Sequence, residues 1–408
     1  MRGKWITALC LLVSFAIAEK RIVRVGAVSM EKTLNFRQPL DVKIREVMPL
    51  IKKSGAAGLA LDLLVLPEYL FRGRNHESGA QKLSNSVLLD SMKAAAAANR
   101  INIIFQLVEK EGERFYNTAL VVNRQGRLAG KYRKVNLPPE EHWATPGDSL
   151  SVFNLDFGRV GVLICWDFWF TEPAKKLVEK GAELLVVPTW CNIKQNLKIN
   201  NAQNGVPILF SVLRSTTCTE GGRQDVHSSV YDPLGRPVST VHAVGESRIA
   251  VAEVRLGAVK NLARGKAVKT GAPGLSGFPA RNVVDGLYNT ERDAPAGSQT
   301  AWKARPLPQW IEIDLGSRHT LRRLSLALFG GENYRFRIEG SGDGEHYTQL
   351  ADTLSRYETF IEHGIAGAEI YSVLLPVARE GYRYVRVTVN SATRREITIN
   401  EILIFGDP

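Results

Sequence analysis

Between residues 21 and about 257, short apolar runs alternate with amphipathic stretches. The runs at 22–28, 61–66, 101–108, 118–123, 160–164 and 184–187 read as strands, and 42–54, 87–99 and 172–180 read as helices. Strand–helix alternation of this kind predicts a layered α/β domain. After about residue 259 the alanine-rich helical pattern disappears. Alternating strands at 310–315 and 384–389 take its place, separated by turn clusters at 271–277 and 341–344, which predicts an all-β sandwich. No long Pro/Ser linker lies at 258–262, so the two parts are expected to abut. The division expected is a leader over 1–18, an α/β domain over 19–258 and a β domain over 261–408.

The leader reads as a secretory signal peptide. Arg2 and Lys4 precede an almost wholly apolar stretch from Trp5 to Ala18, and Ala16-Ile17-Ala18 supplies a small-x-small cleavage pattern. That stretch is shorter than the roughly 20 residues that span a bilayer. A secreted, periplasmic or extracellular, location follows as an expectation. Without the leader, three of the four cysteines remain: Cys165, Cys191 and Cys218. Three do not make a disulfide framework. At most Cys191 pairs with Cys218, sparing Cys165, or both are small buried hydrophobes.

The 408-residue chain carries 53 Lys+Arg against 41 Asp+Glu, a net charge of +12. From Asn261 onward the count is 18 against 17, so the excess belongs to the N-terminal part. No basic cluster is interleaved with aromatics, which argues against a nucleic-acid partner. The seven histidines show no paired ligand spacing and there is no Cys-x-x-Cys, so no metal site is expected in the α/β part and no cofactor is required.

Three segments carry candidate chemistry. An apolar strand ends in Leu66-Pro67-Glu68-Tyr69. A lysine follows a turn in Gly130-Lys131-Tyr132-Arg133-Lys134. The third is Gly161-Val162-Leu163-Ile164-Cys165-Trp166-Asp167, a buried strand that delivers a thiol at its end. Taken singly, these are a surface carboxylate, a solvated cation and a core thiol. Together they suffice for thiol-dependent amide hydrolysis. A thiol attacking an amide needs a base that later returns the proton to the leaving amine, which a carboxylate with a raised pKa provides. The oxyanion needs a fixed cation and a backbone N–H. Tyr69, Trp143, Trp190 and Asn192 are candidate pocket-lining residues by nearness to these motifs, with ordinary packing as the alternative. His142 reads as an exposed loop histidine.

On these segments, with Gly181-Ala182-Glu183, Pro188-Thr189 and Tyr231-Asp232-Pro233-Leu234-Gly235, the chain from 21 to about 255 resembles the carbon–nitrogen hydrolase (nitrilase) superfamily. The resemblance implies a four-layer α-β-β-α sandwich and an acyl-enzyme mechanism. Glu68 is then base and acid, Lys134 stabilises the oxyanion, Cys165 is the nucleophile and the Trp166 N–H is the second oxyanion donor. A second glutamate is implied after the lysine. Glu140 and Glu141 both fit by spacing, and Glu141 is preferred. Asp167 and Glu172 are assigned to supporting structure. The implied substrate is a small amide, with nitriles and N-carbamoyl compounds as alternatives; Trp166-Asp167-Phe168-Trp169-Phe170 is locally similar to the N-carbamoyl-polyamine branch. Two departures bear on substrate: Asn200 to Gly205 replaces a more charged helix, and Ser211 stands where asparagine is common. Dimerisation is implied by analogy alone. A different class of reading is a glycan-binding protein that uses the hydrolase fold as a scaffold.

From Asn261 the chain resembles the discoidin (coagulation factor 5/8 type C) family, close to carbohydrate-binding modules. Val284-Asp285-Gly286, Trp302, Trp310 to Gly316, Tyr384 to Val387 and Asn400-Glu401-Ile402 carry the likeness. It implies an eight-stranded jelly-roll sandwich that binds a glycan or cell-surface ligand through end loops. Tyr288, Trp302 and Tyr334 are candidates for stacking on sugar rings, although Trp302 and Trp310 also match core positions. Asp285 and Glu401 match places where some relatives hold a structural Ca²⁺.

Overall fold

The computed structural model describes residues 22–30, 37–190, 204–213, 228–245, 247–257, 259–286, 301–329, 333–353 and 368–407. The leader, Cys191, Asn192, Cys218 and Tyr288 lie outside these residues.

Two sheets make the middle layers of the first domain. The seven-stranded sheet runs, in spatial order, Thr240–Val244, Ser247–Arg255, Ile22–Met30, Leu63–Val65, Asn102–Glu111, Arg114–Val122 and Leu128–Arg133. The five-stranded sheet runs Ser229–Tyr231, Ile208–Val212, Leu184–Thr189, Gly158–Val162 and Val152–Leu155. Side chains alternate between the faces of a strand. Val25, Leu63, Val65 and Ile104 therefore point into a core shared with Val160, Val162 and Val186 of the other sheet. Their neighbours Leu64, Leu66, Ile103 and Phe105 point the opposite way, against the helices Leu40–Ser54 and Val87–Asn99. Both faces being covered is why these strands read as unbroken apolar runs. Helix Thr171–Glu179 covers the outer face of the smaller sheet through Ala174 and Leu177. The order of layers is helix, sheet, sheet, helix, as the resemblance to the carbon–nitrogen hydrolases implies.

Ser211 links the sheets. Its buried Oγ lies 2.9 Å from the carbonyl oxygens of both Val28 and Val65.

In the second domain, seven strands form one antiparallel sheet among the described residues, where the resemblance implies eight. The two runs read from the sequence pair directly, with Trp310 opposite Thr388 and Asp314 opposite Tyr384. They belong to two long strands, Gln309–Phe329 and Ala368–Ser391, whose pairing shifts register between Asp314 and Arg323. Before the shifts, Ile311, Ile313 and Leu315 face the core; after them, Leu324, Leu326 and Leu328 do. The inward face changes parity, as bulges allow, so both halves of the strand enclose one core. Trp302 is fully buried in that core and Tyr334 is 5% exposed, so neither offers a ring face to a sugar; core packing claimed both. Trp310 is half-buried under the Arg386 guanidinium, 4.8 Å from its ring centre.

The domains abut. The Val259 N–H, at the start of the β part, donates to the Gly205 carbonyl of the α/β domain (2.8 Å). Ala327, Leu403 and Phe405 of the β domain pack with Leu234 and Val259. Lys175 Nζ donates to Gly286 O at 2.8 Å, and Arg264 pairs with Glu179 at 2.8 Å. Glu401 lies buried beside this contact, accepting from Gly286 N–H at 3.2 and 3.3 Å. Burial, then the Asp285 charge, push its carboxyl well above the usual range, while Lys175 and Arg264 pull it down. Two carboxylates facing two cations do not fit the six to eight oxygens of a calcium shell. Among the described residues no three His, Cys, Asp or Glu side chains converge on a metal-sized site.

Candidate active site

The site forms where strand ends from both sheets meet. Leu63–Val65 runs out through Leu66-Pro67 to Glu68, which is fully buried. Lys134 follows the edge strand Leu128–Arg133. That strand looks polar in sequence because its charges serve a neighbour: Glu109, 2% exposed, takes Lys131 at 2.6 Å and Arg133 at 2.8 and 2.9 Å. The clamp holds the strand in place, and Lys134 N–H pairs with Asn117 O at 2.9 Å. Its side chain therefore turns inward. Glu141 closes the short turn Pro139–Glu141 and is buried, whereas Glu140 and His142 are exposed.

Lys134 Nζ donates to Glu68 Oε1 at 3.0 Å and to Glu141 Oε1 at 2.6 Å. Burial alone pulls the ammonium pKa down. The charges of Glu68 and Glu141, joined by Cys165 only when it is a thiolate, outweigh it and hold the group above its ordinary value. Burial also raises Glu141, an effect that Lys134 opposes and Glu68 reinforces. Asn117 Nδ2 reaches Glu68 Oε1 (2.9 Å) and Glu141 Oε2 (3.2 Å). The Trp190 N–H donates to Glu68 Oε2 at 3.0 Å.

Cys165 sits at φ +42, a left-handed conformation that a residue with a side chain adopts at a cost. The strand Gly158–Val162 ends just before it, and the turn Cys165–Trp169 starts on it. Asp167 braces this elbow. Its Oδ2 accepts from Ile164 N–H (3.0 Å) and Tyr132 Oη (2.7 Å), and its Oδ1 from Asn136 N–H (2.8 Å). Burial, and next the Glu68 charge, push the Cys165 thiol up to about 12 against the pull of Lys134, with the Thr189 hydroxyl and Trp190 N–H hydrogen-bonded to the sulfur. The resting thiol is protonated and needs a base. Asp167→Asn would place an amide N–H against the donors that hold the elbow. We expect a roughly 10- to 100-fold fall in kcat with folding retained, read from initial rates and the thermal melt.

Of the residues expected to line a pocket, Tyr69 is 7% exposed, its hydroxyl bonded to Glu141 and its ring edge-on to Trp190 at 5.8 Å. Trp190 contributes its backbone N–H, and its side chain is half-buried. Trp143 stacks on His76 at 4.9 Å. Trp166 is half-buried directly after the thiol. Sequence reasoning missed Asn117 and Gln106, both 1% exposed. Their signal was a polar residue inside an apolar strand, which burial obliges to find partners.

The arrangement is a thiol next to a buried carboxylate–ammonium–carboxylate set at the mouth of a two-sheet sandwich. Residues 20–264 match the profile of the Carbon-nitrogen hydrolase family, and residues 267–402 that of the F5/8 type C domain. A nitrilase of Pyrococcus abyssi is 31% identical over 235 residues, covering 54% of this chain and 86% of that protein. An N-carbamoylputrescine amidase of Arabidopsis thaliana is 33% identical over 116 residues, 27% of this chain and 39% of its own length. Among solved structures, Nit3 of Saccharomyces cerevisiae, a member of branch 10 of the nitrilase superfamily, aligns with 58% of this chain and 90% of its own (21% identity, TM-score 0.49). The chain belongs to the carbon–nitrogen hydrolase family and carries an F5/8 type C domain behind the hydrolase.

Proposed function

We propose that the protein is a secreted amidase in which Cys165, Glu68, Lys134 and Glu141 cleave a small linear amide. The observation that carries the reading is Lys134 Nζ, held between two buried carboxylates and close enough to Cys165 for each to shift the other's pKa. Glu68 takes the Cys165 proton as the sulfur attacks the carbonyl carbon. The oxyanion forms against Lys134 Nζ and the Trp166 N–H. Collapse of the tetrahedral intermediate breaks the C–N bond, and Glu68 gives its proton to the leaving nitrogen, which departs as ammonia or an amine. Water then attacks the thioester, Glu68 accepting its proton, and releases the acid and the thiol. No metal or organic cofactor has a part in these steps. Glu141 orients Lys134, while Tyr69 and Trp190 border the substrate.

A second substrate reading is an N-carbamoyl compound, favoured by Trp166-Asp167-Phe168-Trp169-Phe170 and by the likeness to the plant amidase. Hydrolysis of a nitrile is the third. The C-terminal domain tethers the enzyme to a glycan or cell-surface ligand. An ammonia-release screen of purified protein over amides, N-carbamoyl compounds and nitriles separates the three. Glycan binding with no turnover on any class would instead support the scaffold reading.

A further inference from the structure

This inference rests on Glu68 being the base, and it concerns what orients that carboxylate. The backbone N–H of Tyr69 can only donate, and it meets Gln106 Oε1 at 2.8 Å. That fixes the Gln106 amide, whose Nε2 donates to Asn117 Oδ1 (2.8 Å) and Leu107 O (3.0 Å). With Oδ1 filled, Asn117 must turn Nδ2 toward the site, where Glu68 Oε1 and Glu141 Oε2 accept from it and Tyr69 Oη lies at 3.4 Å. Each assignment follows from a main-chain N–H that has one polarity, so neither amide can flip without setting donor against donor or acceptor against acceptor. Both side chains are 1% exposed, so bulk water does not replace a lost bond.

The two oxygens of Glu68 are consequently unequal. Oε1 is taken by Lys134 and Asn117 together. Oε2 rests on the Trp190 N–H, the same group that hydrogen-bonds the Cys165 sulfur. We propose that Gln106 and Asn117 form a positioning relay. It fills Glu68 Oε1, reserves Oε2 for proton exchange with the thiol, and ties Glu68 to Glu141 by donating to both.

The pH profile of the full-length enzyme tests this on whichever substrate releases ammonia. Asn117→Leu keeps the approximate shape and removes both donors. Gln106→Met leaves Asn117 in place but frees it to turn. Without the donors Glu141 holds its proton to higher pH and Glu68 loses its fixed orientation, so the acid limb of kcat/KM is expected to move up by roughly one unit in Asn117→Leu. A smaller shift in the same direction is expected in Gln106→Met, which carries the test if the first variant does not fold. A role in packing alone lowers activity at every pH and leaves the limb where it was. An unmoved limb in a variant that melts like the parent overturns the relay. Activity retained in Cys165→Ala overturns the underlying thiol–base reading instead, so the two failures are distinguishable.

Discussion

Cys165→Ala is expected to yield a folded protein whose ammonia release falls by about 10⁵- to 10⁶-fold, to the level of the remaining binding and oxyanion contacts. Alanine keeps the Cβ on the strained elbow, and Asp167 still holds Ile164, Tyr132 and Asn136. Folding therefore survives while the sulfur at the site, which forms the thioester, is lost. The loss is large because the other groups act through the sulfur: Glu68 has no thiol proton to take, and Lys134 has no tetrahedral oxyanion to face. Initial rates on an identified amide, beside the melting curve, decide it. A variant within tenfold of the parent would remove the thiol from the mechanism.

Lys134→Met is expected to damage stability and activity together. The side chain is fully buried and is the cation between Glu68 and Glu141. Removing one partner from a buried ionic set costs about 3–5 kcal/mol, because the remaining charges are left uncompensated. Loss of the oxyanion cation costs a further 10²- to 10³-fold or so in kcat. The stability deficit should depend on pH with a definite sign. Without Lys134 the folded-state pKa of Glu141, already raised by burial, moves further above its unfolded value. Protonated carboxyls then favour folding at low pH, and that contribution is lost as pH rises through the raised pKa. The deficit is smaller at pH 5 than at pH 8. Denaturant unfolding at both values checks this, following the hydrolase domain separately because a two-domain chain need not unfold in one step. Equal stability of variant and parent at both pH values would contradict the charge balance described here.

Much of this site was legible because it lies where strands stop. Leu66-Pro67-Glu68 and Ile164-Cys165-Trp166 each read as an apolar run delivering one reactive group, and the structure puts both at the same edge. The choice between Glu140 and Glu141 was not legible from spacing; the short turn at Pro139–Glu141 buries one and exposes the other. Strand Leu128–Arg133 escaped the hydrophobic pattern because its lysine and arginine answer a buried glutamate on a strand two places away. Gln106 escaped for the opposite reason, because a run so apolar drew attention from the polar residue inside it, and Asn117 stood one residue before the run read at 118–123 although the strand Arg114–Val122 includes it. In the β domain, periodicity marked Trp310 to Leu315 and Tyr384 to Val389 as strands, which the structure pairs, but it could not tell a ring packed inward from one offered to a ligand, and Trp302 and Tyr334 proved to be inward.

The central claim is a covalent acyl group on Cys165, and acid-quenched peptide mass spectrometry during turnover tests it most directly. The account predicts that the peptide containing Cys165 gains the mass of the substrate's acyl group, that hydroxylamine removes it as the hydroxamate, and that Cys165→Ala never acquires it. Steady ammonia release with the Cys165 peptide unmodified at every quench time, or the acyl mass on another residue, would contradict it.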